Sequence, residues 1–189
     1  MAKNILVSAL GAQPDIIEET VGYINFKEVD FYEGLASYQS IQTSREEAGF
    51  SSFPIDELWL VATDREHKEV GNRVIKSTLE DFEKIEESCG KYVKRIRLFV
   101  LQGISDITND DDAFQYRDLA YRVIAYARQQ CVGGRLYLSL ACGRKTMSAD
   151  FQEAAYCFGC DALIHVLGDT KESAFPLNLG AIKKNEVLQ

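Results

Sequence analysis

The sequence predicts an α/β domain whose mainly parallel sheet is covered on both faces by helices. Three observations carry that expectation. Short runs apolar throughout recur along the chain, segments of helical periodicity lie between them, and glycine-rich or polar turns separate the two kinds. Strands buried on both faces lose the in–out alternation of half-exposed strands, and intervening helices supply the crossovers that parallel pairing needs. The pattern is that of a Rossmann-like, doubly wound domain.

The first strand is Ile5–Ala9, apolar except for Ser8. A helix follows over 14–25. Pro14 suits its first position, Asp15, Glu18 and Glu19 lie near its positive end, and Ile16, Ile17, Thr20, Val21 and Ile24 share a face. Residues 26–54 are rich in Tyr, Ser and Gln with weak periodicity, and read as an insertion with one short helix. Glu57–Thr63 is the second strand. The spacing of Val70, Val74, Ile75, Thr78, Phe82 and Ile85 predicts a helix over 67–88. The third strand is 95–102, followed by an acidic loop over 103–112 and a helix over 113–131 with Tyr116, Ala120, Val123, Ile124 and Ala127 on one stripe. Gly133-Gly134 turns the chain into a fourth strand, 136–141. A helix over 144–158 is expected to bury Met147, Phe151, Ala154, Ala155 and Phe158, and a fifth strand, 162–167, completes the sheet. With no repeat or linker, residues 1–189 read as one domain, with a core over 4–168 and a short tail over 171–189.

Composition narrows the function classes. At 46% hydrophobic with three prolines, the chain has material for a core, which excludes disorder and collagen. Lys plus Arg is 21 against 29 for Asp plus Glu, a net charge of −8, which argues against coating long nucleic acid. A small phosphorylated ligand held by a few local donors remains open. No run reaches the roughly 18 apolar residues of a membrane span, and no export signal stands at the start. The five cysteines follow no disulfide framework, so a cytoplasmic protein with reduced thiols is expected.

Ligands of doubly wound folds bind beyond the carboxyl ends of the strands, where strand order reverses. The first and fourth strands are the expected neighbours there. Ser8-Ala9-Leu10-Gly11-Ala12-Gln13-Pro14 offers a hydroxyl, a glycine and a helix start, which is either an anion cradle or simply a tight turn. It is neither a Walker A loop nor a GxGxxG fingerprint. Cys142-Gly143-Arg144-Lys145-Thr146-Met147 opens a helix with two cations, where the macrodipole is already positive. That placement makes sense if an anion occupies the turn. Thr63-Asp64-Arg65-Glu66-His67 leaves the second strand toward the same crevice; its hydroxyl, cation and imidazole reach a ligand, or Thr63 or Asp64 caps the next helix. Cys142 near a helix start raises a thiol nucleophile as a minor alternative. Cys157 and Cys160 close a helix and read as structural.

The opening run, 4–14, and the later strand ending Gly143-Arg144-Lys145-Thr146-Met147 resemble the CARF domain, the CRISPR-associated Rossmann-like sensor of cyclic oligoadenylates. More narrowly, they are similar to the stand-alone type III ring nucleases and the NE0113-like group. The resemblance implies a homodimer with a cyclic oligoadenylate, tetra-adenylate by preference, across its two-fold axis. It also implies metal-independent cleavage without a cofactor. Ser8 and Lys145 match the catalytic positions, Gly11, Gln13, Gly143, Arg144 and Thr146 belong to the two loops that the resemblance implies grip the ligand, and Thr63 and Arg65 join them as candidate contacts from the second strand exit. In such a reaction the 2′-hydroxyl attacks in line to leave a 2′,3′-cyclic phosphate, with Lys145 countering the growing charge. A non-catalytic sensor or sequestering module is the alternative. Cys142 stands where alanine or glycine is common in that family.

Overall fold

The computed structural model describes residues 2–30, 32–34 and 38–165. Its elements are β1 (Ile5–Ala9), α1 (Asp15–Ile24), α2 (Tyr38–Glu47), a 3-10 turn (Phe50–Ser52), β2 (Glu57–Thr63), β3 (Lys68–Val70), β4 (Arg73–Ile75), α3 (Thr78–Cys89), β5 (Arg95–Leu101), α4 (Asp110–Gln130), β6 (Leu136–Ser139), α5 (Lys145–Phe158) and β7 (Ala162–Ile164). Five strands form one parallel sheet in the order β5-β2-β1-β6-β7. Strand order reverses between β1 and β6, as expected, so their exits face one crevice.

Each strand feeds two cores because neighbouring side chains leave opposite faces of the sheet. Leu6, Leu58, Leu60 and Tyr137 pack with Ile17, Val21, Ile41 and Ile85 on the α1–α3 side. Ile5, Val7, Trp59, Val61 and Leu138 pack with Tyr116, Ile124 and Phe151 on the α4–α5 side. The stripe expected on α4 is fully buried. Asparagines pin the opposite end of the sheet. Asn25 accepts from the Ile55 amide (2.7 Å) and donates to the Tyr92 carbonyl (3.0 Å), while Asn4 accepts from the Arg135 amide (2.9 Å) and donates to the Pro54 carbonyl (2.8 Å).

The structure corrects several expectations. Residues 67–77 are not helical: β3 and β4 form an antiparallel hairpin around Gly71-Asn72, and the helix begins at Thr78. Gly71 at φ +61 takes the left-handed geometry of a tight two-residue turn, so Val70, Val74 and Ile75 matched a helical period only by chance of spacing. Neither Thr63 nor Asp64 caps that helix. Ser77 does, in a reciprocal capping box with Glu80. The next helix starts three residues early, at Asp110, because Asn109 caps it and three aspartates fill its first turn. Phe158 lies at the surface, packed edge-on against Tyr121. The strand expected over 136–141 ends at Ser139. The expected last strand ends at Ile164, with His165 outside it, while Val166, Leu167 and the tail over 171–189 lie outside the described residues. No helix among the described residues is long and apolar enough to cross a membrane.

Candidate functional site

Beyond the strand ends lies an open cavity of about 790 Å³, within the range of small-molecule sites. Its walls come from the β1 and β6 turns, the β2 exit, the β3–β4 hairpin, the start of α3 and the loop after β5.

Two glycines let the β1 and β6 turns meet. A Cβ on Gly11 would stand 2.8 Å from the Gly143 nitrogen and 2.9 Å from its Cα, so here backbone packs on backbone. Gly143 has φ +101, and a Cβ there would meet the Met147 sulfur at 2.8 Å. The thiol of Cys142 joins the turns: its sulfur accepts from the Gly11 amide (3.2 Å) and its S–H donates to the Gln13 carbonyl (3.6 Å). Burial pushes that thiol up, against the smaller opposing pull of the Gly11, Gly143 and Gln13 backbone and Arg65. Only 3% exposed, Cys142 fits a structural latch better than a nucleophile. Iodoacetamide at pH 8 is therefore expected to label exposed Cys157 at least tenfold faster than Cys142, read by peptide mass spectrometry; equal rates would revive the thiol nucleophile.

The two helices opening onto the crevice differ electrostatically. α1 carries Asp15 and Glu18 in its first turn, whereas α5 has no acid there, and the Arg144 amide at its start donates to the Met147 sulfur (3.4 Å). The first turn of α5 thus carries no acid of its own against its positive end, and the carboxylate brought to that end is Asp106, paired with Arg144.

The cavity wall holds five cations, Arg65, Lys68, Lys76, Lys84 and Arg144, against three acids, Glu66, Asp81 and Asp106. In a chain of net charge −8, this local excess of positive charge favours an anion. Arg65 donates from Nε to the Lys76 carbonyl (2.7 Å) and pairs with Asp81. Burial pushes the Asp81 carboxyl up, and Arg65, Lys76 and Lys84 pull it the other way without cancelling the rise. Arg144 makes a bidentate pair with Asp106, and Lys84 pairs with Asp15.

Of the residues expected at the site, Gly11, Gln13, Thr63, Arg65, Gly143 and Arg144 line the cavity. Thr63 is buried and donates to the Ser105 carbonyl (3.2 Å). Three expected residues stand off the wall. Lys145 and Thr146 are exposed on the first turn of α5. Ser8 is 0% exposed and donates to the Ala9 carbonyl (3.2 Å). The reason is that the β1–β2 ladder runs on through the Leu10 amide to the Val61 carbonyl (2.8 Å). The chain leaves the sheet two residues later than the hydroxyl at position 8, which stays inside the sheet. His67 also lies off the wall, against Glu80 at 3.1 Å, and the Ser77 backbone and hydroxyl together with His67 bring the Glu80 carboxyl down to about 2. Among the described residues no three His, Cys, Asp or Glu side chains form a candidate metal cluster.

Sequence reasoning missed Lys68, Ile75, Lys76, Asp81, Lys84 and Asp106, all on the wall. The signal that would have found the hairpin lysines is Gly71-Asn72 between Val70 and the Val74-Ile75 pair.

A model of the family described as CRISPR-associated protein NE0113 matches residues 46–184. No curated protein matches the chain in sequence. Among solved structures, Enterococcus italicus Csm6 bound to cyclic hexa-2'-fluoro-hexa-dAMP superposes with a TM-score of 0.57 at 15% identity, over 92% of this chain. The chain spans 36% of the length of that Csm6. The likeness is one of fold.

Proposed function

Because the chain belongs to the CRISPR-associated NE0113 family and has the CARF-type Rossmann-like fold, we propose that it binds a cyclic oligoadenylate at the β1–β6 crevice and cleaves it. The single observation that carries this reading is the cation-rich cavity at the point of strand reversal, walled by two interlocked glycine turns and set before a helix with no acid in its first turn. Phosphates placed there meet the backbone amides opening α5 and the cavity cations. The solved Csm6, which shares the fold, holds a cyclic oligonucleotide analogue.

Cleavage proceeds by the ring's own 2′-oxygen attacking the adjacent phosphorus in line. The P–O5′ bond breaks, the 2′-hydroxyl proton passes to solvent, and the 5′-oxygen takes up a proton, leaving a linear product with a 2′,3′-cyclic phosphate. The protein's part is to hold the phosphodiester in line and to stabilise its added negative charge. Lys145, exposed on the first turn of α5, supplies that charge where a ring shared by two protomers spans the mouth of each cavity. The active unit in this reading is a homodimer, and no metal takes part.

The test is product analysis by mass spectrometry after incubating the protein with cyclic tetra- and hexa-adenylate, with and without EDTA. Linear products bearing cyclic phosphate at equal rates in both conditions are expected. Rings recovered whole but bound would leave a sensing or sequestering module, and rings neither bound nor cut would reject the reading entirely. Lys145→Ala is expected to slow cleavage roughly 10²–10³-fold, the scale of losing one charge-stabilising donor. An unchanged rate removes Lys145 from the mechanism.

A further inference from the structure

We propose that the β3–β4 hairpin is a ligand-gripping arm whose Lys68 and Lys76 hold the phosphates of the bound oligonucleotide. The inference rests on the cyclic oligoadenylate reading and assigns it residues outside the β1 and β6 turns.

The argument starts from the charges on the cavity wall. Three of the five cations are already engaged by carboxylates: Arg65 by Asp81, Lys84 by Asp15, Arg144 by Asp106. A phosphate reaching these groups must displace or share a carboxylate, so much of the attraction is spent in the exchange. Lys68 and Lys76 form no ion pair and no side-chain hydrogen bond among the described residues, although Asp81 feels the field of Lys76. Both line the cavity and both are exposed. Lys68 pairs in register with Ile75, the residue before Lys76, so the two lysines flank the base of the hairpin. A chain with 29 acids has left two lysines without a carboxylate partner on one wall, charges that a bound polyanion would neutralise.

The hairpin is built as an arm. Its strands pair with each other and form a sheet separate from the five-stranded one. A lone two-stranded ribbon is marginal in water, and this one is fixed at its base. Arg65 donates to the Lys76 carbonyl (2.7 Å), the Thr78 amide donates to the Arg65 carbonyl (2.9 Å), and His67 faces Glu80. Beyond that base, Val70 is 61% exposed and Val74 56% exposed. Val74 and Ile75 also line the cavity, so the arm offers apolar contact to a base beside ammonium groups for phosphate. That pairing matches an oligonucleotide better than a simple inorganic anion.

The test is calorimetric titration of wild type, K68A/K76A and K68R/K76R with cyclic tetra- and hexa-adenylate over a range of salt, with thermal melts as the folding control. K68A/K76A is expected to bind roughly 10–100-fold more weakly and to lose about one unit of salt slope per lysine, while K68R/K76R stays near wild type. If the alanine pair fails to fold, K68Q/K76Q carries the same test. Wild type that binds a ring while the neutral pair keeps the same affinity and slope overturns the arm alone. Wild type that binds neither ring overturns the functional reading, and the arm falls with it.

Discussion

Replacing Arg45 by alanine is expected to destabilise the protein by about 3–5 kcal/mol, read as a drop in Tm on the order of 10 °C. Arg45 is fully buried on α2, with Nη1 2.9 Å from an Asp30 carboxylate oxygen and 3.3 Å from the Gln42 amide oxygen. Its guanidinium lies 4.7 Å from the Tyr32 ring centroid, 4.9 Å from Phe26 and 5.3 Å from Tyr23. Its Nε and Nη2 make no hydrogen bond among the described residues, so aromatic faces stand in for water around much of the cation. Deleting it opens a hole between α1 and α2 and strands Asp30. Burial pushes the Asp30 carboxyl up, but the Arg45 hydrogen bond, the Tyr32 amide and the Arg45 charge outweigh it and hold the group below the usual carboxylate range. A depressed folded pKa stabilises above the unfolded value, near 3.9, and that contribution fades as pH falls through the folded one. The wild type should therefore lose more Tm than R45A between about pH 5 and pH 2. R45M alone should remain damaging, whereas R45M/D30N should recover at least about 1 kcal/mol by removing the abandoned charge. A Tm within 2 °C of wild type for R45A would show that the insertion does not depend on this cage.

Gly11→Ala is expected to abolish measurable ring uptake, with a loss of at least about 100-fold in affinity, and to lower stability by about 1–3 kcal/mol. The added methyl meets the Gly143 nitrogen and Cα at 2.8 and 2.9 Å. Both are backbone atoms, so no side-chain rotation relieves the contact. The β1 and β6 turns must part, which also strains the Cys142 sulfur's grip on the Gly11 amide. Gly143→Ala attacks the same junction from the other side, adding the strain of φ +101 for an L residue. Calorimetry with cyclic tetra-adenylate checks the first outcome and a thermal melt the second. G11A binding like wild type would mean that the close packing of the two turns is irrelevant to the ligand.

Several site features were legible in the residues. The Gly11 and Gly143 turns needed glycine, and both proved to be positions where another side chain clashes. The position of Arg144 and Lys145 at a helix start also held, since α5 begins at Lys145. What the residues did not show depended mostly on other parts of the chain. Ser8 is the one polar residue of the first run, but whether its hydroxyl is exposed depends on how far the neighbouring ladder continues, and that is set by the Val61 carbonyl on another strand. The hairpin lysines were hidden by a helical spacing that three apolar residues satisfied by coincidence. The ion pairs of Arg65 and Arg144 were invisible, because Asp81 and Asp106 lie 16 and 38 residues away in sequence.

The sequence by itself determined the parallel sheet, the reversal of strand order between the first strand and the later Leu136–Ser139 strand, and the two glycine turns at that crevice. These follow from apolar runs, periodicity and turn chemistry, which act over a few residues. Only the tertiary structure decided which cations carry partners, that Cys142 latches one turn to the other, and that Ser8 is buried within the sheet. Those outcomes depend on groups far apart along the chain brought within a few ångströms, and on burial that no local pattern encodes.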